Sequence, residues 1–105
     1  MAAGYYVRFM SSASSVRDNA KAHRFELDID GHVAFSNYRR QGNVLIMLHT
    51  EVPPALNGRG IGSRLVAGIL DIARAQQLTV EPVCPFVKAY LRKHPQYADL
   101  VAHSA

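Results

Sequence analysis

The stretch Val44-Leu45-Ile46-Met47-Leu48-His49-Thr50-Glu51-Val52-Pro53-Pro54-Ala55-Leu56-Asn57-Gly58-Arg59-Gly60-Ile61-Gly62-Ser63-Arg64-Leu65-Val66 constrains the fold more than any other part of the chain. It passes from an apolar strand through a turn and a glycine-rich loop into an amphipathic helix. A helix start leaves its first N–H groups without carbonyl partners, and the aligned peptide dipoles add partial positive charge there. A phosphate is the expected ligand of such a helix start. Gly58, Gly60 and Gly62 let it approach the backbone closely.

The surrounding pattern supplies the rest of a mixed α/β (α+β) domain. Residues 1–22 contain Ser11-Ser12-Ala13-Ser14-Ser15 and read as an edge strand over 5–10 followed by a partly irregular loop. From Arg24 the chain alternates, with Phe25, Leu27 and Ile29 on one face and Glu26, Asp28 and Asp30 on the other. Asp30-Gly31 makes a tight turn, and Val33 and Phe35 are expected to continue the core face on the return strand. A third antiparallel strand over 44–52 begins with five apolar residues in a row, the pattern expected where both sheet faces are covered, so at least one helix must pack on it. That helix spans about 60–76, with Ile61, Leu65, Ile69, Ile72 and Ala73 in one stripe. Gly68 inside it costs about 1 kcal/mol relative to Ala, which implies close packing against the sheet. A strand over 78–81 follows, completing a parallel β-α-β unit, and a C-terminal helix over 85–93 has proline in its first turn and stops before Pro95.

Other phosphate-binding designs fit poorly. A P-loop needs Lys followed by Ser or Thr after a longer loop, whereas Gly62 is followed by Ser63-Arg64. A dinucleotide fingerprint needs G-x-G-x-x-G directly after the strand; here the last spacing is wrong and residues 53–57 intervene, with Glu81 alone favouring that reading. With 105 residues, 49% hydrophobic and 19% charged, the chain is sized for one domain over residues 1–105. The longest apolar run, residues 44–48, is too short to cross a bilayer, and the first residues begin no signal peptide, so no membrane partner is expected. Cys84 is the only cysteine, which points to a free thiol in a reducing, cytoplasmic compartment. The net charge of +4 comes from scattered Lys and Arg apart from Arg39-Arg40 and the Lys88, Arg92, Lys93 group. A nucleic-acid surface would be denser and interleaved with aromatics, so no specific nucleic acid is expected. The histidines show no metal-ligand spacing, and no metal is implied.

Asn57-Gly58-Arg59-Gly60-Ile61-Gly62 resembles motif A of the GNAT superfamily of N-acetyltransferases, Gln/Arg-x-x-Gly-x-Gly/Ala, with Asn57 in place of Gln or Arg. His49-Thr50-Glu51-Val52-Pro53, Arg59-Gly60-Ile61-Gly62, Cys84-Pro85-Phe86-Val87 and Lys93-His94-Pro95 follow in an order similar to the short, acetyltransferase-like branch of that superfamily, over roughly residues 24–101. The resemblance implies a compact minimal GNAT-like fold, acetyl-CoA as acyl donor and an amine of a protein or small molecule as acceptor. It also implies that coenzyme A is gripped by Asn57, Gly58, Arg59, Gly60, Ile61, Gly62 and Ser63, with the pantetheine arm along the backbone near Val52. A monomer or weak dimer is expected.

His49 and Glu51 are two apart on one strand, so they share a face near its carboxyl end, beside the glycine loop. Spacing alone reads as a hydrogen-bonded imidazole and a solvated carboxylate. The resemblance makes them candidates for taking the proton of the acceptor amine, a task that suits imidazole near neutrality. Cys84 sits between a strand and a helix start, where the helix terminus favours thiolate; the resemblance brings the acyl group there, to be accepted by the thiol or only lined by it. Tyr90 reads first as a core tyrosine with a hydrogen-bonded tip, and as a proton donor to the leaving thiolate only by a loose analogy. A rival class is a non-catalytic acyl-CoA-binding regulatory module, because helices that would cover the acceptor side have no counterpart in so short a chain.

Overall fold

Asp30 and Gly31 both adopt positive φ, 50° and 79°, the values a two-residue hairpin turn demands. The computed structural model describes residues 15–102. Five strands lie side by side in chain order: β1 (Arg17–Asn19), β2 (Arg24–Ile29), β3 (His32–Gln41), β4 (Val44–Glu51) and β5 (Thr79–Pro82). The first four are antiparallel, and β5 returns parallel to β4 after helix α1 (Ile61–Ala75). Helix α2 (Pro85–Lys93) and a 3-10 segment (Pro95–Leu100) complete the described chain. The mixed α/β fold and both helices stand as the sequence predicts.

The turn also corrects one expectation. It sets Ile29 opposite His32, Leu27 opposite Ala34 and Phe25 opposite Ser36. The even-numbered residues Ala34, Ser36 and Tyr38 therefore share the core face, and all three are buried. Val33 and Phe35 point the other way. Phe35 lies instead under the Arg24 guanidinium, 4.4 Å from the ring centroid.

Coverage of β4 is also simpler than its apolar run implies. One buried cluster joins Leu45, Met47 and Val80 of the sheet with Leu65, Ile69 and Ala73 of α1 and Val87 of α2. The opposite face presents Arg17, Glu26 and Asp28 with Phe35, Asn37, His49 and Glu51, and among the described residues neither α-helix packs there. The alternation is hidden for two reasons. Ile46 stands between Arg39 and Glu81, whose aliphatic stems can cover it, and Leu48 is the extra residue of a bulge where Asn37 pairs with His49 but Tyr38 pairs with Met47.

Strand β1 arises inside the stretch expected to be loop. Its residues, Arg17, Asp18 and Asn19, have little strand propensity, so it is held by pairing to β2 and by the contacts of its side chains. The strand expected over residues 5–10 lies outside the described residues. Gly68 is indeed at a close approach, though to Val16 just before β1: a Cβ there would lie 2.5 Å from Val16 Cγ2.

Candidate functional site

Two features open the glycine loop before α1. Gly58 and Gly60 hold φ of 79° and 70°, which side chains rarely adopt, and these turns swing the chain from the Pro54–Leu56 3-10 turn into α1. Gly60 then caps α1 and, having no side chain, makes no side-chain capping bond to the helix N-terminus. The first helical bond runs from the Arg64 N–H to the Gly60 carbonyl, 3.1 Å, and the N–H groups of Ile61, Gly62 and Ser63 precede it with no carbonyl one turn back. Val52, Asn57, Gly58, Gly60, Ile61, Gly62 and Ser63 all line one hollow of about 210 Å³, together with Leu56 and Phe86. A Cβ on Gly62 would sit 2.9 Å from the tip of the Phe86 ring. The residues therefore fit an anionic ligand that needs backbone donors and room at Gly62. Two larger hollows, at Val16 and Arg64 and at His23 and Arg40, carry none of these features.

Arg59 departs from the expected set. Its guanidinium donates to Asp30 of the β2–β3 turn at 2.8 Å, and it does not line the hollow. This ties the loop to the hairpin.

Beside the cradle the two parallel strands part. Pairing ends at Met47 and Pro82, after which the N–H groups of Val83 and Cys84 both converge on the Met47 carbonyl, at 2.9 and 3.0 Å. Strand β4 runs on to Glu51, and among the described residues no strand pairs with that edge beyond Met47. Among the described residues, Val83 and Phe86, on either side of Cys84, are the two large hydrophobic residues left exposed, at 45% and 43%. An apolar arm lying in this opening would cover them.

Cys84 closes the inner end. It is buried, 3% exposed, and caps α2. Its Sγ lies 3.6 Å from Thr50 Oγ1, which in turn lies 3.2 Å from Ser36 Oγ. Burial pushes the thiol pKa up, but the Val87 N–H, the Thr50 hydroxyl and the N–H groups of Phe86 and Thr50 more than offset this, and the net direction is downward. The neighbourhood thus favours thiolate.

His49 and Glu51 come together as the alternation predicts: His49 Nε2 lies 3.1 Å from Glu51 Oε1, and both side chains are 60% exposed. They do not join Cys84. Thr50 lies between them on β4 and points to the helix-covered side with Cys84, so the imidazole and the thiol flank the opening from opposite faces of the sheet. Tyr90 packs on the core and stacks on His94 with ring centroids 3.8 Å apart. Burial raises its pKa. The neighbouring Tyr97 hydroxyl donates to Asp71 at 3.0 Å. Sequence reasoning gave no role to Thr50, though it stands between His49 and Glu51, nor to Ser36, which carries no motif signal, nor to Val83, whose exposure follows only from the parting of β4 and β5. Among the described residues no cluster of His, Cys, Asp and Glu is arranged to hold a metal, and no helix is long and apolar enough to cross a membrane.

Comparison with known proteins bears on the whole of this region. Residues 24–100 match a family model described as GCN5-related N-acetyl-transferase. Protein NATD1 of Xenopus tropicalis is 30% identical over 94 residues, covering 85% of this chain and 86% of that protein. Protein NATD1 of Danio rerio is 28% identical over 99 residues, covering 90% of each. Among solved structures, the solution structure of a GCN5-like candidate N-acetyltransferase from Staphylococcus aureus aligns with a TM-score of 0.65 at 26% identity, covering 90% of this chain and 93% of that one.

Proposed function

This chain belongs to the GCN5-related N-acetyltransferase family, and from that premise we propose that it moves an acetyl group from acetyl-CoA to an amine of a protein or small molecule. The observation that carries the reading is that the hollow at Gly58 to Ser63 extends to Val52 and Phe86, which follow β4 and β5 just beyond the point where their pairing ends. Coenzyme A, when bound, supplies an activated thioester. The N–H groups of Ile61, Gly62 and Ser63 would hold its pyrophosphate, and the edge of β4 near Val52 would orient its arm.

On the outer face, His49 takes the proton of the attacking amine. In the tautomer whose Nε2–H donates to Glu51, the lone pair on Nδ1 remains free for that proton, and the carboxylate steadies the imidazolium that results. Cys84 lines the thioester from the helix-covered side. Its thiolate character supports a second route, in which the acetyl group passes first to Sγ with loss of coenzyme A thiolate and then to the amine.

The test is incubation with acetyl-CoA and panels of peptides and small amines, followed by mass spectrometry of protein and acceptor. Acetylated acceptor is expected, with loss in His49→Ala. Calorimetric binding of acetyl-CoA without transfer to any acceptor would favour the binding-only module; absence of both would overturn the reading of the cradle. An acetyl adduct on Cys84 in rapid-quench samples lacking acceptor separates the covalent route from direct attack.

A further inference from the structure

Three polar side chains lie in line where the core meets the opening, and the acyl-transfer reading uses only the last of them. Ser36 is 1% exposed on β3, and its cross-strand neighbour Thr50 accepts or donates at 3.2 Å. Thr50 is also the side chain nearest in hydrogen-bonding terms to Cys84, at 3.6 Å. Strand alternation puts Thr50 on the face opposite His49 and Glu51, so the pair has no direct part in handling the amine.

We propose that Thr50, braced by Ser36, is the positioning residue of the Cys84 thiol: its hydroxyl accepts from the S–H and, when the proton leaves, turns to donate to the sulfur anion. This rests on the reading that Cys84 borders the acyl group. A hydroxyl is suited to the task because it carries one rotatable hydrogen and two lone pairs, so it can serve both protonation states without moving its heavy atom. Ser36 supplies the second half of the exchange. When Thr50 accepts from Cys84 it donates to Ser36, and when Thr50 donates to the sulfur it accepts from Ser36. The hydroxyl of the buried Ser36 and that of the half-buried Thr50 thus keep a partner in both protonation states. The backbone N–H groups of Phe86 and Val87 favour the anion from the helix side but cannot respond to its protonation, since they only donate.

The experiment is the pH titration of Cys84, followed by thiolate ultraviolet absorbance in the free protein with Cys84→Ser as the blank; the chain has a single cysteine, so the difference reports one thiol. Thr50→Val, close in shape but without the hydroxyl, should raise the midpoint by about one pH unit, roughly a tenfold loss of thiolate well below the midpoint. Thr50→Ser should restore the wild-type midpoint, and Ser36→Ala should shift it partway in the same direction. A Thr50→Val profile that overlays the wild type overturns the proposal. So does an equal shift in Thr50→Val and Thr50→Ser, which would trace to packing alone. If Thr50→Val does not fold, Ser36→Ala decides: an unchanged midpoint there overturns it too. Acetyl-CoA failing to slow alkylation of wild-type Cys84 would count against the thiol's place beside the acyl group, separately from the titration.

Discussion

Replacing Glu26 with glutamine should abolish one pH-dependent part of the protein's stability. The carboxylate is 4% exposed on the sheet face away from α1 and α2, and it is held by Asn19 Nδ2 at 2.9 Å, Arg24 Nε at 2.6 Å and the Arg17 guanidinium. The Asn19 amide, then Arg24, then Arg17 bring its pKa from 4.5 down to about 2, against burial, which pushes it up. A lowered native pKa means the unfolded chain binds the proton more readily. The stabilisation is therefore complete above pH 4.5 and is lost as pH falls through about 2. Some 2.5 units at ~1.36 kcal/mol each set a ceiling of roughly 3 kcal/mol. Arg17 and Arg24 are 49% and 33% exposed, however, so water and salt reach the network and about 1–2 kcal/mol is the expected yield. The assay is urea denaturation of wild type and Glu26→Gln at intervals from pH 7 to pH 2. The stability gap should be largest above pH 5, shrink toward pH 2 and narrow with added salt. A gap that stays constant across this range would refute the charge argument and leave shape as the cause.

Gly62→Asp should abolish acetyl-CoA binding by calorimetry while the protein stays folded, because the new side chain displaces the exposed Phe86 ring and sets a negative charge in the cradle; retained affinity would remove the loop as the phosphate site. Gly60→Ala should cost about 1–2 kcal/mol through its φ of 70° alone and weaken binding as well, read by thermal melting and calorimetry on the same samples. Ile69→Ala, fully buried on α1, should destabilise by about 2–5 kcal/mol in denaturant titration, and a loss under 1 kcal/mol would mean the α1 stripe is not the core. Cys84→Ala should leave partial transfer if the thiol only lines the pocket and almost none if it carries the acetyl group.

Local chemistry was legible in the sequence, and tertiary choices were not. The Asp30-Gly31 turn, the α1 stripe and Pro85 at the start of α2 each carry their own signal within a few residues, and each appears where it is expected. The pairing of His49 with Glu51 follows from alternation on one strand. The apolar character of Val33 and Phe35 pointed to the core face, but a two-residue turn sets Ile29 opposite His32 and so gives that face to the even-numbered residues of β3. The resemblance counted Arg59 among the residues that grip coenzyme A; its contact with Asp30, 29 residues away, is beyond the reach of any local pattern. Likewise the Thr50 contact with Cys84 spans 34 residues and exists only once β4 and β5 have met. Strand β1 lacked even a propensity signal.

The parallel pairing of β4 with β5 carries a consequence for the order in which the molecule assembles. Strands β2, β3 and β4 are joined by tight turns and can zip as neighbours, whereas Val44 meets Thr79 only after the whole of α1 has been threaded across the sheet. Closing that long loop is the slow entropic step. The cradle, the parting of the strands and the Cys84 environment all lie on the late side of it. Recovery of acetyl-CoA binding during refolding should accordingly lag behind the β-sheet circular dichroism signal, and native-state hydrogen exchange should open β5 and α2 before the β2–β4 meander.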